Sequence, residues 1–92
     1  MHEIDVFSYD EDEGVAFVNY MHVRGGSIVQ SITIEYKKKL DESASEILSL
    51  GIAELRSRFG SRAKEALVPF LPESDFIDLE FVVPQRGDKN RM

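Results

Sequence analysis

Apolar and polar residues alternate along the first forty positions in a way that predicts β-strands. Three stretches are rich in β-branched and aromatic residues, at 3–9, 15–23 and 28–36. An acidic run closed by Gly14 separates the first two, and the sequence RGGS separates the second from the third. Because paired glycines supply the positive φ angles of a two-residue hairpin, the pattern predicts a three-stranded antiparallel meander.

The second and third strands differ in how their apolar residues are distributed. The second carries apolar residues on both faces, which predicts that both of its faces are covered. The third has one apolar face, formed by Ile28, Ile32, Ile34 and Tyr36. Serines, Thr33 and Glu35 form its polar face.

Beyond Lys39 the spacing of apolar residues changes to that of an amphipathic helix. Positions three and four apart are apolar: Ala44, Ile47, Leu48, Gly51, Ile52, Leu55 and Phe59. Ser43 with Glu46 three residues later fits a capping box, and Gly60 suits a helix stop. The sequence therefore predicts a helix over 44–59.

Two further strands are expected after this helix. The stretch 66–70 is short and apolar, and 79–83 ends at Pro84. Residues 71–78 between them have room for one helical turn. The order β-β-β-α-β-short α-β predicts an α/β fold, in which a three-stranded antiparallel meander is joined by a crossover helix to two further strands.

Composition narrows the class of protein. The 92 residues suffice for one domain, and the absence of cysteine excludes disulfides and thiolate metal sites. No apolar run approaches the about 20 residues of a membrane span, and the start MHEIDVF does not resemble a signal peptide. We therefore expect a cytoplasmic domain with no membrane association.

Charge is distributed unevenly along the chain. Arg86, Lys89 and Arg91 against Asp88 give the last seven residues a net charge of +2, so residues 1–85 carry −8 within the total of −6. An acidic body argues against a stand-alone nucleic-acid-binding protein, since phosphate binding depends on clustered Lys and Arg. Local basic patches remain possible contacts.

Two motifs resemble one bacterial family. The hairpin sequence HVRGGSIVQS and the ending ALVPFLPESD…LEFVVPQRGDKNRM are similar, in this order, to the middle of UvrC, the nuclease subunit of the UvrABC nucleotide-excision-repair complex. The order of elements is also that of the ribonuclease H-like fold. The resemblance spans nearly the whole chain.

The resemblance implies a place within a longer protein. It places residues 1–85 as a ribonuclease H-like domain between the UvrB-binding region and the C-terminal nuclease domain that makes the 5′ incision. Residues 86–92 are then a linker or the start of a helix leading to the next domain. UvrB, damaged DNA and the neighbouring domains are the implied partners, and the fragment is expected to be monomeric. Mg²⁺ or Mn²⁺ is implied for the parent nuclease.

Catalysis by this piece itself would need a set of metal-binding carboxylates. The resemblance to ribonuclease H-type nucleases implies ligands from the first strand, the first helix, the end of the fourth strand and a later element, holding two metals. Asp5 lies on strand one, and Glu46 or Glu54 could serve from the helix, but the fourth strand offers no carboxylate. Glu73 and Asp75 come several residues too late. We therefore expect no catalytic residue and no cofactor, with Asp5 either a vestigial position or a residue facing solvent.

Histidines give no support for a metal site. A zinc site needs three or four donors, and neither His2 nor His22 has a partner at ligand spacing. We interpret His22 as a partly exposed strand residue and predict no metal site.

Nucleic-acid or partner contacts are predicted at two places. They are Arg24, Gly25 and Gly26 at the hairpin and Arg86, Lys89 and Arg91 near the end. Arg24 could equally be a simple turn cation. Three functions stay open: a non-catalytic positioning and interaction domain, an active metal-dependent nuclease using Asp5, and a stand-alone interaction module.

Overall fold

The computed structural model describes residues 2–85, which form one five-stranded sheet and one helix. The elements are β1 Glu3–Asp12, β2 Val15–Arg24, β3 Ser27–Lys37, α1 Ala44–Phe59, β4 Glu65–Leu67 and β5 Glu80–Val82. The sheet order is β3-β2-β1-β4-β5, with β1, β2 and β3 antiparallel and with β4 parallel to both β1 and β5. The predicted α/β fold is confirmed.

Both hairpins of the meander close on two-residue turns with positive φ. Gly25 and Gly26 have φ of 58° and 83°, as the glycine pair predicted. Glu13 and Gly14 form the other turn, with φ of 50° and 81°. Because Glu13 adopts the left-handed conformation, β1 continues through the acidic run to Asp12 and is longer than predicted.

Helix α1 begins and ends where the sequence predicts. The Ser43 side chain accepts a hydrogen bond from the Glu46 amide at 3.1 Å, and the Glu46 carboxylate accepts one from the Ser43 amide at 3.4 Å. Gly60 ends the helix in the left-handed conformation, with φ of 62°. The capping box is thus complete and fixes the N-terminus of α1.

The core lies between α1 and one face of the sheet. Its buried residues come from β1, β2, α1 and the β4 region: Phe7, Ala16, Val18, Tyr20, Ile47, Leu48, Ile52, Leu55, Ala66 and Val68. Gly51 lets the helix backbone approach β2, since an added Cβ would lie 3.0 Å from Val18 Cγ1. The side chains on the opposite face of β2 are partly buried, so of the two faces predicted to be covered, the described residues cover only one completely.

A β-bulge changes the predicted face of β3. Val23 pairs with Ile28 whereas His22 pairs with Gln30, so one residue of β3 is inserted at this point. Ile28 therefore leaves the face shared by Ile32 and Ile34 and is 61% exposed. The prediction that all four apolar residues of β3 share one face fails at Ile28.

The second half of the chain contains less regular structure than predicted. Strands β4 and β5 each have three residues. Residues 71–78 form bends and a turn and no helix, with Asp78 at a positive φ of 58°. Backbone and side-chain bonds to α1 hold this segment instead of helical bonds. The short second helix is therefore corrected to a loop.

Among residues 2–85, the one helix is too short and too polar to cross a membrane.

Candidate functional site

A buried polar cluster surrounds Asp5 near the start of β1. The Asp5 carboxylate is fully buried and accepts hydrogen bonds from Tyr20 Oη at 3.1 Å and from Ser61 Oγ at 2.8 and 3.0 Å. Arg56 Nη1 donates to it at 2.7 Å, and His22 Nδ1 lies 2.8 Å from Asp5 Oδ1. We call these five residues the Asp5 cluster. It joins β1, β2, the end of α1 and the turn that follows.

The local fold explains why these side chains meet. Asp5 and His22 are direct partners in the antiparallel β1–β2 ladder and share the helix-facing side of the sheet. Arg56 lies in the last turn of α1, above the start of β1, and Ser61 follows the helix stop at Gly60. A charged carboxylate can be buried there because a guanidinium group neutralises it and hydroxyl groups satisfy its remaining lone pairs.

Two interpretations of this region are corrected. Of the two alternatives for Asp5, the one in which it faces solvent is wrong, and His22 is 7% exposed, not a partly exposed strand residue. His22 Nε2 also lies 3.4 Å from Glu3 Oε1, so the ring stands between two carboxylates. Single-residue patterns give no sign of this arrangement, because it depends on strand register and on the end of a distant helix.

The cluster perturbs the ionisation of its neighbours. Burial, together with the negative charge of Asp5, raises the pKa of Tyr20 to about 12. At the edge of the cluster, a hydrogen bond from Arg24 is the main cause that lowers the pKa of Glu3. Because its pKa is raised, Tyr20 keeps its phenol proton at physiological pH and donates it in the hydrogen bond to Asp5 Oδ1.

The carboxyl ends of the parallel strands are closed by aromatic side chains. Asp5 is paired with Ala66, near the start of both β1 and β4. Further along these strands, Tyr9 and Phe70 pack edge to face, with ring centroids 5.4 Å apart. Open α/β sheets bind ligands beyond the carboxyl ends of their strands. Here that end carries an aromatic pair, and Asp5 lies towards the other end.

The segment after Phe70 is tied onto α1 at the same end of the sheet. Ser45 Oγ donates to the Leu71 carbonyl at 3.1 Å, and the Glu73 amide donates to the Ser45 carbonyl at 3.1 Å. The Ser74 amide donates to Ser49 Oγ at 2.9 Å. These bonds hold residues 71–74 against the first half of α1.

The carboxylates expected from the helix serve other contacts. Glu46 completes the capping box, and Glu54 forms an exposed ion pair with Arg58. Asp5 is bound to Arg56, so its oxygens face a cation of the protein itself. Within residues 2–85, no three His, Cys, Asp or Glu side chains come together in a way that could hold a metal ion. These residues do not fit the two-metal site of a ribonuclease H-type nuclease.

The predicted hairpin contacts lie beside a cleft at the same end as the Asp5 cluster. Arg24 Nε donates to Glu3 Oε2 at 2.9 Å, and Gly25 and Gly26 form the adjacent turn. The cleft has a volume of about 460 Å³, and Arg62 lies on its wall together with Arg24. Two guanidinium groups can donate hydrogen bonds to a phosphate or carboxylate there. Sequence reasoning missed Arg62, which has no distinctive local pattern.

The other predicted contacts, Arg86, Lys89 and Arg91, lie outside the described residues, as does the predicted linker or helix start over 86–92.

Comparisons with known proteins give one consistent result. Residues 3–92 match the family described as UvrC Ribonuclease H-like domain. Proteins named UvrABC system protein C are similar across the chain. The one from Bacteroides fragilis is 50% identical over 93 residues, covering 100% of this chain and 15% of that protein.

Two further relatives carry the same name. That of Porphyromonas gingivalis is 45% identical over 92 residues, and that of Flavobacterium johnsoniae is 50% identical over 90 residues. Each alignment covers 97% of this chain and 15% of the relative. The chain thus spans about 15% of the length of the curated relatives it matches. No solved structure matches it.

Proposed function

Because the chain belongs to the UvrC ribonuclease H-like domain family, we propose that it is a non-catalytic positioning domain within a UvrABC system protein C. The family resemblance inferred from the two motifs is confirmed. In the proposed role, the domain lies between the UvrB-binding region and the nuclease domain that makes the 5′ incision in nucleotide excision repair. UvrB, damaged DNA and the neighbouring domains are its proposed partners.

The closure of the strand ends by Tyr9 and Phe70 is the observation that carries the proposal. A ribonuclease H-type nuclease needs carboxylates where its first and fourth strands present their ends, since its metals must reach both oxygens of the phosphodiester. Tyr9 and Phe70 pack against each other there, and the nearby Glu11 carboxylate accepts hydrogen bonds from Tyr9 Oη and Lys38 Nζ, so it is already engaged by the protein's own groups. The Asp5 carboxylate forms an ion pair with Arg56 and is therefore not free to bind a metal ion, which supports the same proposal.

A rigid module can contribute to incision through geometry alone. Holding reacting groups at a fixed separation removes orientational freedom that would otherwise slow the reaction. Here the 16-residue helix is capped at both ends and packed on the sheet, and the Asp5 cluster links three elements. The domain is therefore suited to keep neighbouring parts of a longer protein at a defined distance.

The proposal is tested by comparing the isolated chain with the full-length protein. Isolated, and supplied with Mg²⁺ or Mn²⁺, the chain should leave lesion-containing DNA uncut, with or without Asp5→Asn. In the full-length protein, Asp5→Asn should lower the incision rate only to the extent that it destabilises the fold of this domain. The metal concentration for half-maximal incision should stay unchanged. Metal-dependent cutting by the isolated chain, abolished by Asp5→Asn, would establish the nuclease alternative instead.

A further inference from the structure

The face of the sheet opposite α1 contains a contiguous apolar patch. Directly paired residues share a face, so strand register arranges this side into rows that cross the sheet. One row runs through Ile28, Val23 and Ile4, and the next through Met21, Val6, Leu67 and Val82. We call these seven residues the open-face patch.

The patch ends at a polar boundary on the same face. The following row consists of Thr33, Asn19 and Ser8, and Asn19 Nδ2 donates to Thr33 Oγ1 at 2.8 Å. Ile28 is 61% exposed, and the other six patch residues are partly exposed. Within residues 2–85, α1 and the aromatic residues of 70–79 pack on the opposite face, around the core. One half of the open face is therefore apolar and uncovered by the described part of the chain.

Charge at one corner of the patch indicates the chemistry of what covers it. Glu65 precedes Ala66 on β4 and is paired directly with Glu80 on β5. Two like charges opposite each other in a ladder repel, and Glu80 is exposed. His2 Nε2 lies 3.6 Å from Glu65 Oε1, at the strand edge. His2, Arg62 and Lys64 line the same cavity as the two glutamates, and an approaching Lys or Arg would further offset the repulsion between them.

The topology favours a helix as the covering element. Strands β1, β4 and β5 run parallel, and parallel strands are as a rule covered by helices on both faces. The width of the sheet across five strands is four spacings of about 4.8 Å, or about 19 Å. A helix of about 13 residues, at about 1.5 Å per residue, has this length. An amphipathic helix presents an apolar stripe of the required width.

We infer that the open-face patch is the docking surface for an amphipathic helix from another part of the same longer polypeptide. That helix carries an apolar stripe and a Lys or Arg that reaches Glu65 and Glu80. The inference rests on the proposed function, because it assigns the surface through which the positioning domain holds its neighbour. The chain is about 15% of each relative's length, so the same polypeptide supplies further segments at high effective concentration.

Photo-cross-linking in the full-length protein tests the inference. A photoreactive amino acid replaces Ile28 in the patch or, as matched control, the exposed Ser8 in the polar half of the same face. Because the docked helix lies against Ile28 and not against Ser8, the Ile28 probe should give several-fold more intramolecular cross-link than the Ser8 probe. Peptide mapping should place the cross-link on a helix with flanking Lys or Arg. The pair of substitutions Glu65→Lys and Glu80→Lys should reduce the yield several-fold.

Each other outcome overturns the inference. Equal yields from Ile28 and Ser8 would mean that no segment of the chain prefers the patch to the polar half of the same face. Cross-links between differently tagged copies would assign it to a second copy, and cross-links to another protein would assign it to a separate partner. Circular dichroism of each probe variant establishes that the sheet is intact. Such failures concern only the patch, whereas the cleavage assays with Asp5→Asn decide the non-catalytic function.

Discussion

Arg56 Nη1 donates to Asp5 Oδ2 over 2.7 Å, joining the last turn of α1 to the start of β1 across 51 positions of sequence. The carboxylate is fully buried, and the Arg56 side chain is 16% exposed. Arg56 Nη1 also donates to the Ala63 carbonyl at 3.1 Å. The pair therefore fixes the turn between α1 and β4 as well as the packing of the helix.

Removing the cation from this pair should destabilise the domain strongly. Arg56→Met removes the guanidinium group that pairs with the buried Asp5 carboxylate, and breaking a buried pair in this way costs about 3–5 kcal/mol in the free energy of unfolding. Arg58 is the matched control, since it lies two residues later on the same helix in an exposed ion pair with Glu54. Arg58→Met should change the free energy by less than about 0.5 kcal/mol. Urea denaturation measures both, and equal effects of the two substitutions would contradict a stabilising role for the Asp5 pair.

The raised pKa of Tyr20 predicts a loss of stability in alkali. The unfolded chain releases the phenol proton near pH 10, whereas the folded protein holds it until about pH 12. Between these values the folded state binds more protons, so the free energy of unfolding falls as pH rises. Below about pH 10 the contribution is fully present. Urea denaturation at several pH values between 9 and 12 should reveal the decline.

Tyr20→Phe is the control for this alkaline effect. The variant lacks the titrating phenol and should show a shallower decline over the same pH range. The absorbance change of tyrosinate, taken as the difference between the two proteins, gives the ionisation of Tyr20 itself. Ionisation near pH 10 would show that the folded protein does not hold this proton.

How much of this fold can be predicted from the sequence depends on how local the interactions behind each feature are. The limits of α1 follow from Ser43, Glu46 and Gly60, because caps act within a few residues. The face of Ile28 could not be derived, since the bulge depends on how β2 and β3 pair. The loop over 71–78 replaces a helix because its bonds go to Ser45 and Ser49, which lie far away in sequence.

Only part of the Asp5 cluster could be predicted from the sequence. Placing the first turn at Glu13 and Gly14 fixes the hairpin register and puts Asp5 opposite His22. The sequence predicts a turn closed by Gly14, but it ends the first strand at Tyr9 and so leaves the register of this hairpin undefined. The contribution of Arg56 needs the helix packed in three dimensions. Buried charges depend on such long-range packing, whereas periodicity reports only local burial.

Gly51 predicts a substitution whose effect opposes helix propensity. Gly51→Ala would gain about 1 kcal/mol in propensity, but the new Cβ would lie 3.0 and 3.1 Å from the two Val18 methyl groups. Overpacking of this kind costs about 1–3 kcal/mol, so the net change should be destabilising. Ser57→Ala, at an exposed position of the same helix, is the matched control and should be neutral or slightly stabilising.

A double substitution identifies the cause of the Gly51 effect. Val18→Ala removes the methyl groups that the new Cβ would meet. The combined loss in free energy of unfolding should therefore be smaller than the sum of the two single losses. Simple additivity would mean that contact with Val18 does not explain the cost.

Arg24 provides a test of whether the hairpin end of the domain meets DNA. The Arg24 side chain is 49% exposed beside the cleft and pairs with Glu3. If it contacts a phosphate in the full-length protein, Arg24→Glu should weaken DNA binding and reduce the slope of log affinity against log salt by about 1. Lys38→Glu is the matched control, because Lys38 also pairs with one glutamate but lies at the other hairpin, beside Gly14.

Affinity measured across a salt series separates the possible results. A smaller slope for Arg24→Glu with an unchanged slope for Lys38→Glu would assign a phosphate contact to the hairpin. Equal losses would indicate a general effect of net charge on an already acidic domain. An unchanged slope for both would remove Arg24 as a DNA contact.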